Sequence, residues 1–293
     1  MKFVDVKNDV AFHKIFGNAN KTITLISFLN AVLQPEADAR IVSVTIENPY
    51  LFPPVPAGKI SVIDVRATDQ AGRKFIIEMQ IADKLGFDKR IQYYASRDYA
   101  NQITQGDDYP KLRPSYLIAI LNFNFTQNPN YRSQHETTDR ETGENLLKDV
   151  KYFFIELLKF KKNLSELQTM TDKWTYFIKN AKNLDLIPAH VDDVGLQTAY
   201  QDADQQTWTL AELNAYDDSK VRETDIVQEK LFLLEKGKME GKMEGKIEGK
   251  IEGKIEGKME GKIEIAKNLQ RMGLPSADIA QATGLSAEEI EQL

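Results

Sequence analysis

Residues 59–81 constrain the fold more than any other stretch of the sequence, because they predict a β-hairpin with acidic side chains inside its apolar strands. Residues 60–68 and 73–81 are rich in β-branched residues and are separated by a short loop that contains Gly72. Glycine adopts the left-handed conformation without steric cost, and that conformation closes a three-residue hairpin loop. The sequence therefore predicts two neighbouring antiparallel strands here.

The register of this hairpin follows from its loop. A three-residue loop that ends at the glycine sets Asp69 opposite Arg73. Counting back along both strands then sets Asp64 directly opposite Glu78, and Gln80 lies on the same face two residues further on. Two carboxyl groups and one amide are thus predicted to share a face at one end of the hairpin.

Glu78 and Gln80 stand in a strand whose other residues indicate burial on both faces. These apolar residues are Phe75, Ile76, Ile77, Met79 and Ile81. Two buried carboxylates with Cβ atoms ~5 Å apart repel each other, so one is expected to stay protonated unless a cation neutralises the pair. Two cations are candidates: a divalent ion such as Mg²⁺, which one or two carboxylates commonly hold, and the guanidinium of Arg66, which is diagonal to Glu78.

Further residues give the chain a resemblance to a known family. Asp64 and the run Glu78-Met79-Gln80 resemble the D…(D/E)xK core of the PD-(D/E)XK nuclease superfamily. More closely, residues 1–182 resemble the Rpn family of recombination-promoting nucleases and transposases. The other matching pieces are residues 8–12, Phe16-Gly17, residues 25–30, Lys89-Arg90, Tyr93-Tyr94 and residues 106–109.

The resemblance implies a Mg²⁺-dependent DNA endonuclease of the transposase type, acting in DNA recombination, in which Mn²⁺ can substitute for Mg²⁺. It implies that Asp64 and Glu78 are catalytic metal ligands, and that Gln80 is catalytic and orients the attacking water. Gln80 stands where most of the superfamily has lysine, although glutamine is usual in Rpn-like proteins. A neutral amide cannot stabilise developing negative charge as an ammonium does. The alternative is therefore a nuclease-fold protein that binds nucleic acid or a partner with little or no turnover.

Two predicted helices supply further candidate residues. Asp9 begins the first helix, where it is either an additional metal ligand, as in related nuclease folds, or only a helix cap. Residues 87–102 have helical character, with Arg90, Tyr94 and Arg97 along one stripe. Because this helix directly follows the proposed metal strand, the stripe is a candidate for binding nucleic-acid phosphates. Simple solvation of the stripe is the alternative.

Composition excludes several other classes of site. The chain has no cysteine, and His13, His135 and His190 are scattered, so neither a zinc site nor a Cys/His dyad is indicated. The net charge is −6, but residues 183–235 hold twelve acidic against three basic residues, so the rest of the chain sums to +3. Overall acidity therefore does not exclude DNA as a partner. No signal peptide or membrane span is evident, which predicts a soluble cytoplasmic protein without membrane contact.

The order of the predicted elements favours an α/β fold. Further helices are expected at residues 21–33 and 171–181, strands at 42–47, 115–123 and 150–158, an extended loop at 49–56 and a polar excursion at 126–144. This order suits a restriction-endonuclease-like mixed central sheet flanked by helices, with a helical C-terminal extension. Four regions are expected: a nuclease-like domain at 1–182, an acidic helical segment at 183–235, a repeat at 236–264 and a small end region at 265–293.

The motif Gly-Lys-(Met/Ile)-Glu recurs from residue 237 to residue 264. A helix places these four residue types on separate stripes, but glycine at every fourth position costs ~1 kcal/mol each relative to alanine. A lone helix is therefore marginal, whereas burial of the apolar stripe against a second copy, with a right-handed wrap, stabilises it. The repeat predicts a homo-oligomer, and a flexible charged linker is the alternative.

Residues 265–293 are similar to a small helix-turn-helix, with breaks at Gly273 and Gly284 and a last helix capped by Ser286. The last helix carries three acidic residues, which are Glu288, Glu289 and Glu291. Carboxylates repel DNA phosphates, so this helix is expected to pack or to contact protein and not to read a DNA groove.

Overall fold

The computed structural model describes residues 2–51, 60–189 and 191–293. Most of the loop predicted at 49–56, and also His190, lie outside the described residues. The α-helices are α1 (Asp9–Phe16), α2 (Ile23–Leu33), α3 (Phe87–Ala100), α4 (Met170–Asn180), α5 (Val194–Ala203), α6 (Leu210–Arg271), α7 (Ser276–Thr283) and α8 (Ala287–Glu291). The strands are β1 (Val44–Glu47), β2 (Tyr50–Leu51), β3 (Ser61–Val62), β4 (Val65–Asp69), β5 (Lys74–Gln80), β6 (Ser115–Leu121), β7 (Arg132–His135) and β8 (Val150–Glu156).

A mixed sheet forms the centre of the fold, with six strands in the order β1-β4-β5-β6-β8-β7. Strands β5, β6 and β8 run parallel, whereas β1, β4 and β7 pair antiparallel with their neighbours. Strands β2 and β3 form a separate two-stranded sheet. With helices on its flanks, this arrangement confirms the predicted α/β class with a helical C-terminal extension.

The central hairpin, β4 and β5, has the predicted register. Val65 pairs with Ile77, and the amide of Asp69 donates to the carbonyl oxygen of Arg73 at 3.1 Å. Gly72 closes the loop with a φ of 79°, which is the left-handed conformation that glycine adopts without strain. The loop residue therefore sets the alignment of both strands.

The first strand of this hairpin is shorter than predicted. The chain bends at Asp64, which separates β3 from β4, and β3 pairs with β2 instead of continuing along β5. At the bend the Asp64 carboxylate accepts the amide N–H of Met79 at 2.7 Å. A side-chain acceptor competes in this way with the backbone ladder, so the regular strand begins only after Asp64.

The sheet is covered on both faces. On one face, aromatic residues of α1, α2 and α4 pack together, and the ring centroid of Phe28 lies 5.1 Å from that of Phe16 and 5.6 Å from that of Trp174. On the other face, Phe87 and Ile91 of α3 pack in a cluster with residues of β6. Strands β5 and β6 are thus buried on both sides, which explains their nearly continuous apolar sequences.

The first compact unit extends to Val221, beyond the limit predicted at residue 182. Helix α5 packs against α2, and Tyr200 and Trp208 are buried in the same core cluster as Trp174. The acidic segment that begins at residue 183 therefore also has an apolar face, and this face is part of the core.

The polar excursion at residues 126–144 contains strand β7, which the sequence pattern did not indicate. Ser133 is the one buried residue of this strand. The strand pairs antiparallel with β8 at the edge of the sheet. Backbone hydrogen bonds alone can hold such an edge strand, and they leave no hydrophobic periodicity in the sequence.

The second compact unit, from Arg222 to Leu293, contains the repeat and the C-terminal helices. The repeat is helical as part of α6, and its apolar side chains up to Met259 are solvent-exposed, from 71% at Met239 to 40% at Met259. No helix in the described part of the chain is both long and apolar enough to cross a membrane.

The last residues of α6 form a small core with α7 and α8. Ala266, Ile279 and Ile290 are buried there, one from each helix. Gly284 ends α7 with a φ of 68°, and Ser286 caps α8 through its side-chain oxygen. Gly273, between α6 and α7, has a φ of 81°, so the breaks predicted at both glycines are present.

A buried ion network holds α3 against the hairpin. Arg66 on β4 pairs with Asp98 at 2.7 Å and with Glu47 at 2.9 Å. Asp98 is fully buried and also accepts the hydroxyl of Ser115 at 2.7 Å. The sequence offered Arg66 as one of two candidate cations for Glu78. In the structure Arg66 pairs instead with Asp98 and Glu47.

Replacing Arg66 with Met should lower the free energy of unfolding by about 3–5 kcal/mol, because the Asp98 carboxylate would stay buried without its cation. Urea unfolding followed by circular dichroism measures this change. The matched control is Lys111→Met, which removes an exposed ion pair with Asp107 and should leave stability nearly unchanged. Equal losses in both variants would contradict the role of the network.

Candidate active site

The two carboxyl groups predicted to face each other do so. Asp64 lies just before β4, and Glu78 lies near the C-terminal end of β5. Each carboxylate accepts a backbone N–H from the opposite strand. The Met79 amide donates to Asp64 Oδ2 at 2.7 Å, and the Asp64 amide donates to Glu78 Oε1 at 3.3 Å. The site is therefore fixed to the backbone of the central hairpin.

This environment disfavours two negative charges. Glu78 is 3% exposed, and burial, followed by the nearby Asp64 carboxylate, raises the pKa of Glu78 to about 8. Burial also raises the pKa of Asp64, and the charge of Asp9 adds to that effect. Without a cation, burial and mutual repulsion therefore favour the protonated form of the pair.

Two predicted residues of helix α3, Arg90 and Tyr94, lie near these carboxylates, and Gln80 lies beside them at the end of β5. Gln80 Nε2 donates to Glu78 Oε2 at 3.2 Å, and Arg90 Nη2 donates to Gln80 Oε1 at 2.6 Å. Burial, and then the charge of Glu78, raises the pKa of the Tyr94 hydroxyl. Gln80, Arg90 and Tyr94 thus surround the carboxylate pair on the α3 side of the sheet.

Asp9 occupies a different setting. The cap of α1 is Asn8, and the carboxylate of Asp9 accepts the amide of Val10 at 2.7 Å and the hydroxyl of Ser219 on α6. Among the residues that the structure describes, no three His, Asp or Glu side chains lie close enough together to hold a metal ion. The charge of Asp9 does influence Asp64. Its role as an additional metal ligand stays a prediction.

A cleft of about 710 Å³ opens beside Asp64 and Asp9. His13 lines this cleft, and its Nδ1 lies 3.4 Å from the backbone oxygen of Asp64. The sequence pattern did not indicate His13 as a residue of this site. Its position four residues after Asp9, on the same side of α1, is the signal that could have indicated it. Asp64 lines the cleft but Glu78 does not, so the cleft reaches the pair through Asp64.

Arg97, the third residue of the predicted phosphate-binding stripe, is 7% exposed and donates to the Tyr93 hydroxyl at 2.6 Å. The stripe therefore divides along α3. Arg90 and Tyr94 lie beside the carboxylates, whereas Arg97 is buried near Tyr93. A nucleic-acid-binding role for these three residues stays a prediction.

A family model described as PD-(D/E)XK nuclease family transposase matches residues 6–230. The chain belongs to this family. No curated protein and no solved structure matches it. The family match confirms the resemblance drawn from the sequence and supports a nuclease-type function, in a superfamily that generally uses divalent metal ions. The matched stretch contains every candidate site residue named above.

The residues of the site fit such an ion. Asp64 and Glu78 supply hard oxygen ligands, and one or two carboxylates with several waters are the usual shell of Mg²⁺. In the described part of the chain neither carboxylate forms an ion pair, because Arg66 is engaged with Asp98 and Glu47. A divalent cation would therefore neutralise a carboxylate pair, with Glu78 buried and Asp64 half-buried, that no ion pair of the described residues compensates.

The raised pKa of Glu78 makes the stability of the metal-free protein depend on pH. The folded state keeps a proton on Glu78 that the unfolded chain loses, so the free energy of unfolding should fall as the pH rises from about 4.5 to about 8. Glu78→Gln should flatten this fall, because the amide does not titrate. Chemical unfolding in EDTA across this pH range measures the slope.

Mg²⁺ replaces the proton in this scheme, so it should raise the melting temperature of the wild type more at pH 8 than at pH 6. The exposed-site control Glu141→Gln should behave as the wild type does. A wild-type slope no steeper than that of Glu78→Gln would contradict the raised pKa.

Proposed function

We propose that this protein is a Mg²⁺-dependent DNA endonuclease of the transposase type, with Mn²⁺ able to replace Mg²⁺, which hydrolyses phosphodiester bonds in DNA recombination. The observation that carries the proposal is the pair of facing carboxylates, of the half-buried Asp64 and the buried Glu78, fixed by reciprocal backbone hydrogen bonds. The nuclease family of the chain supports it. The proposal includes action in the cytoplasm, where a cysteine-free chain suits a reducing compartment.

In this proposal Asp64 and Glu78 hold the metal ion, and Asp9 is the candidate for completing its ligand shell. A bound divalent ion supplies a water of lowered pKa and neutralises phosphate charge. Gln80, in contact with Glu78, is the third catalytic residue. The strand is bound by side chains of α3, which are Arg90, Tyr94 and Arg97. The cleft beside Asp64 gives the scissile phosphate access to the pair.

One observation favours a second candidate function, a catalytically weak protein that binds nucleic acid or a partner. The side chain that contacts Glu78 on β5 is the neutral amide of Gln80, and an amide stabilises developing negative charge less than an ammonium does. This candidate predicts DNA retention that weakens with rising salt, without cleavage under any divalent ion.

Incubating supercoiled plasmid with the full chain and Mg²⁺ or Mn²⁺ should produce nicked DNA. Asp64→Asn and Glu78→Gln should reduce nicking to background, because each removes a carboxylate from the metal site while keeping the side-chain volume. Glu141→Gln, at an exposed site outside the sheet, is the matched control and should nick as the wild type does. Equal nicking by all variants would overturn the assignment of the site.

We also propose that the protein is a homo-oligomer through the repeat. The apolar stripe is exposed along α6, including Ile247, Ile251 and Ile255 at 55%, 54% and 63%. In the described residues of the repeat, Lys236 and Glu240 form the one ion pair, at 3.9 Å. The Lys and Glu stripes are therefore available to pair with a second copy. Two copies would bring together two single-strand active sites, which suits double-strand cleavage.

The full chain should sediment as a dimer or larger species at micromolar concentration. Replacing Ile247, Ile251 and Ile255 by Gln should give a monomer, because each buried apolar side chain contributes up to ~1.5–3 kcal/mol to association. Exchanging Lys246, Lys250 and Lys254 for Arg is the control and should keep the oligomer. If wild type and triple Gln variant both sediment as monomers, the repeat is a linker.

A further inference from the structure

We propose that Arg90 supplies the positive charge that acts on the scissile phosphate, and that Gln80 is the positioning residue that holds it there. This inference rests on the proposed nuclease function and assigns a new role within the same site. It places the cation of the site on helix α3, while the β5 position that most of the superfamily fills with lysine carries an amide.

Gln80 bridges Glu78 and Arg90 through two hydrogen bonds. Its amide group donates to Glu78 Oε2 at 3.2 Å and accepts from Arg90 Nη2 at 2.6 Å. A side-chain amide can donate to a carboxylate through its nitrogen and accept from a guanidinium through its oxygen, and it carries no charge itself. Gln80 therefore holds Arg90 at a fixed separation from Glu78, so that the two charges do not collapse into a direct ion pair.

The guanidinium of Arg90 has hydrogen-bond donors that no group of the described residues uses. Its Nε is buried and has no hydrogen-bond partner, and its guanidinium lies 5.4 Å from the ring centroid of Phe87. Within the described residues Arg90 forms no ion pair with a carboxylate, and a guanidinium has five donors in a planar fork that matches phosphate geometry. A half-buried cation with donors to spare beside a carboxylate pair is suited to an anionic ligand.

Two arginines of the central hairpin, Arg66 and Arg73, differ from Arg90 in this respect. Arg66 is bound by Asp98 at 2.7 Å and Glu47 at 2.9 Å, and Arg73 is bound by Asp69 at 2.6 Å. Those charges are neutralised within the fold. Arg90 is neutralised by no side chain of the described chain, and its charge opposes the rise in pKa of both Asp64 and Glu78.

Helix α3 places Arg90 by local rules. Gly86 precedes the helix in the left-handed conformation, with a φ of 77°. Phe87 and Ile91 are buried against the sheet, so Arg90, between them in the first turns, is directed toward the same face. Position 90 thus reaches the end of β5 because the apolar face of the helix is anchored beside it.

The chemistry assigned to Arg90 involves no proton transfer. In phosphodiester hydrolysis the water oxygen bonds to phosphorus, the bond from phosphorus to the leaving sugar oxygen breaks, and the water proton passes to solvent while the leaving oxygen takes a proton from solvent. Negative charge grows on the phosphate oxygens during this step. Two N–H groups of Arg90 can donate to those oxygens, and the guanidinium stays charged throughout.

The test moves the positive charge from position 90 on α3 to position 80 on β5. Arg90→Gln in the full chain should slow plasmid nicking in Mg²⁺ by about 10²–10³-fold. Adding Gln80→Lys to that variant should recover at least about tenfold of the loss, because the ammonium then stands on β5. Gln80→Met should lower kcat with little change in KM, and Arg90→Lys should retain more activity than Arg90→Gln. The control Lys111→Gln removes an exposed charge and should nick as the wild type does.

Unchanged nicking by Arg90→Gln, or no recovery in the double variant, would overturn the inference. A second readout separates this from failure of the proposed function. Mn²⁺ binding measured by calorimetry should become at least about tenfold tighter in Arg90→Gln, because a repelling charge beside the ligands is removed, and should weaken again in the double variant. If the wild type nicks under no divalent ion, the nuclease proposal fails. Unchanged Mn²⁺ affinity in Arg90→Gln then overturns this inference as well.

Circular dichroism and the melting temperature establish that each variant is folded. If Arg90→Gln does not fold, the test uses Arg90→Lys and Gln80→Met, which both keep a cation at position 90. Arg90→Lys changes the geometry of that cation, and Gln80→Met removes the hydrogen bond that holds it. Nicking by both at the wild-type rate would overturn the positioning role of Gln80.

Discussion

The pair of backbone hydrogen bonds that joins Asp64 and Glu78 across the hairpin determines much of the structure around it. The amide of Met79 donates to the Asp64 carboxylate at 2.7 Å, so the regular ladder ends where the site begins. The chain before Asp64 then turns away, and β3 pairs with β2. Tyr50 and Val62 from these two strands line the cleft beside Asp64. One side-chain acceptor therefore ends a strand, presents a carboxylate and helps to form an access route.

The α3 face of the sheet contains two kinds of charged group: one that is paired within the fold and one that is not. At Arg66 every charge has a partner, since Asp98 and Glu47 bind it on both sides. At Glu78 the donors among the described residues are neutral, and Gln80 lies between Glu78 and the guanidinium of Arg90. Burying an uncompensated charge is unfavourable unless a ligand completes the site. The charges around Arg66 are therefore compensated within the fold, whereas Glu78 has no charged partner among the described residues.

Sequence reasoning succeeded where the interactions are local. Gly72 fixed the loop and with it the register that sets Asp64 opposite Glu78, and helical periodicity placed Arg90 near them. It failed where contacts join distant segments. Strand β7 is held by backbone pairing at an edge, and the contact of Ser219 with Asp9 spans most of the first unit. No spacing rule reports such contacts. The bond between Gln80 and Arg90 was missed because a stripe predicts a direction and not a partner.

The family match ends at residue 230, before the repeat begins at 236. Every residue that contacts the carboxylate pair lies within the matched stretch, and so does Ser219, which holds Asp9. The candidate site therefore lies within the stretch that the family model matches. The repeat adds a helix whose glycines lower its intrinsic stability and whose exposed Met and Ile side chains gain free energy only when covered. The geometry of Asp64 and Glu78, in contrast, is set by contacts within the matched stretch.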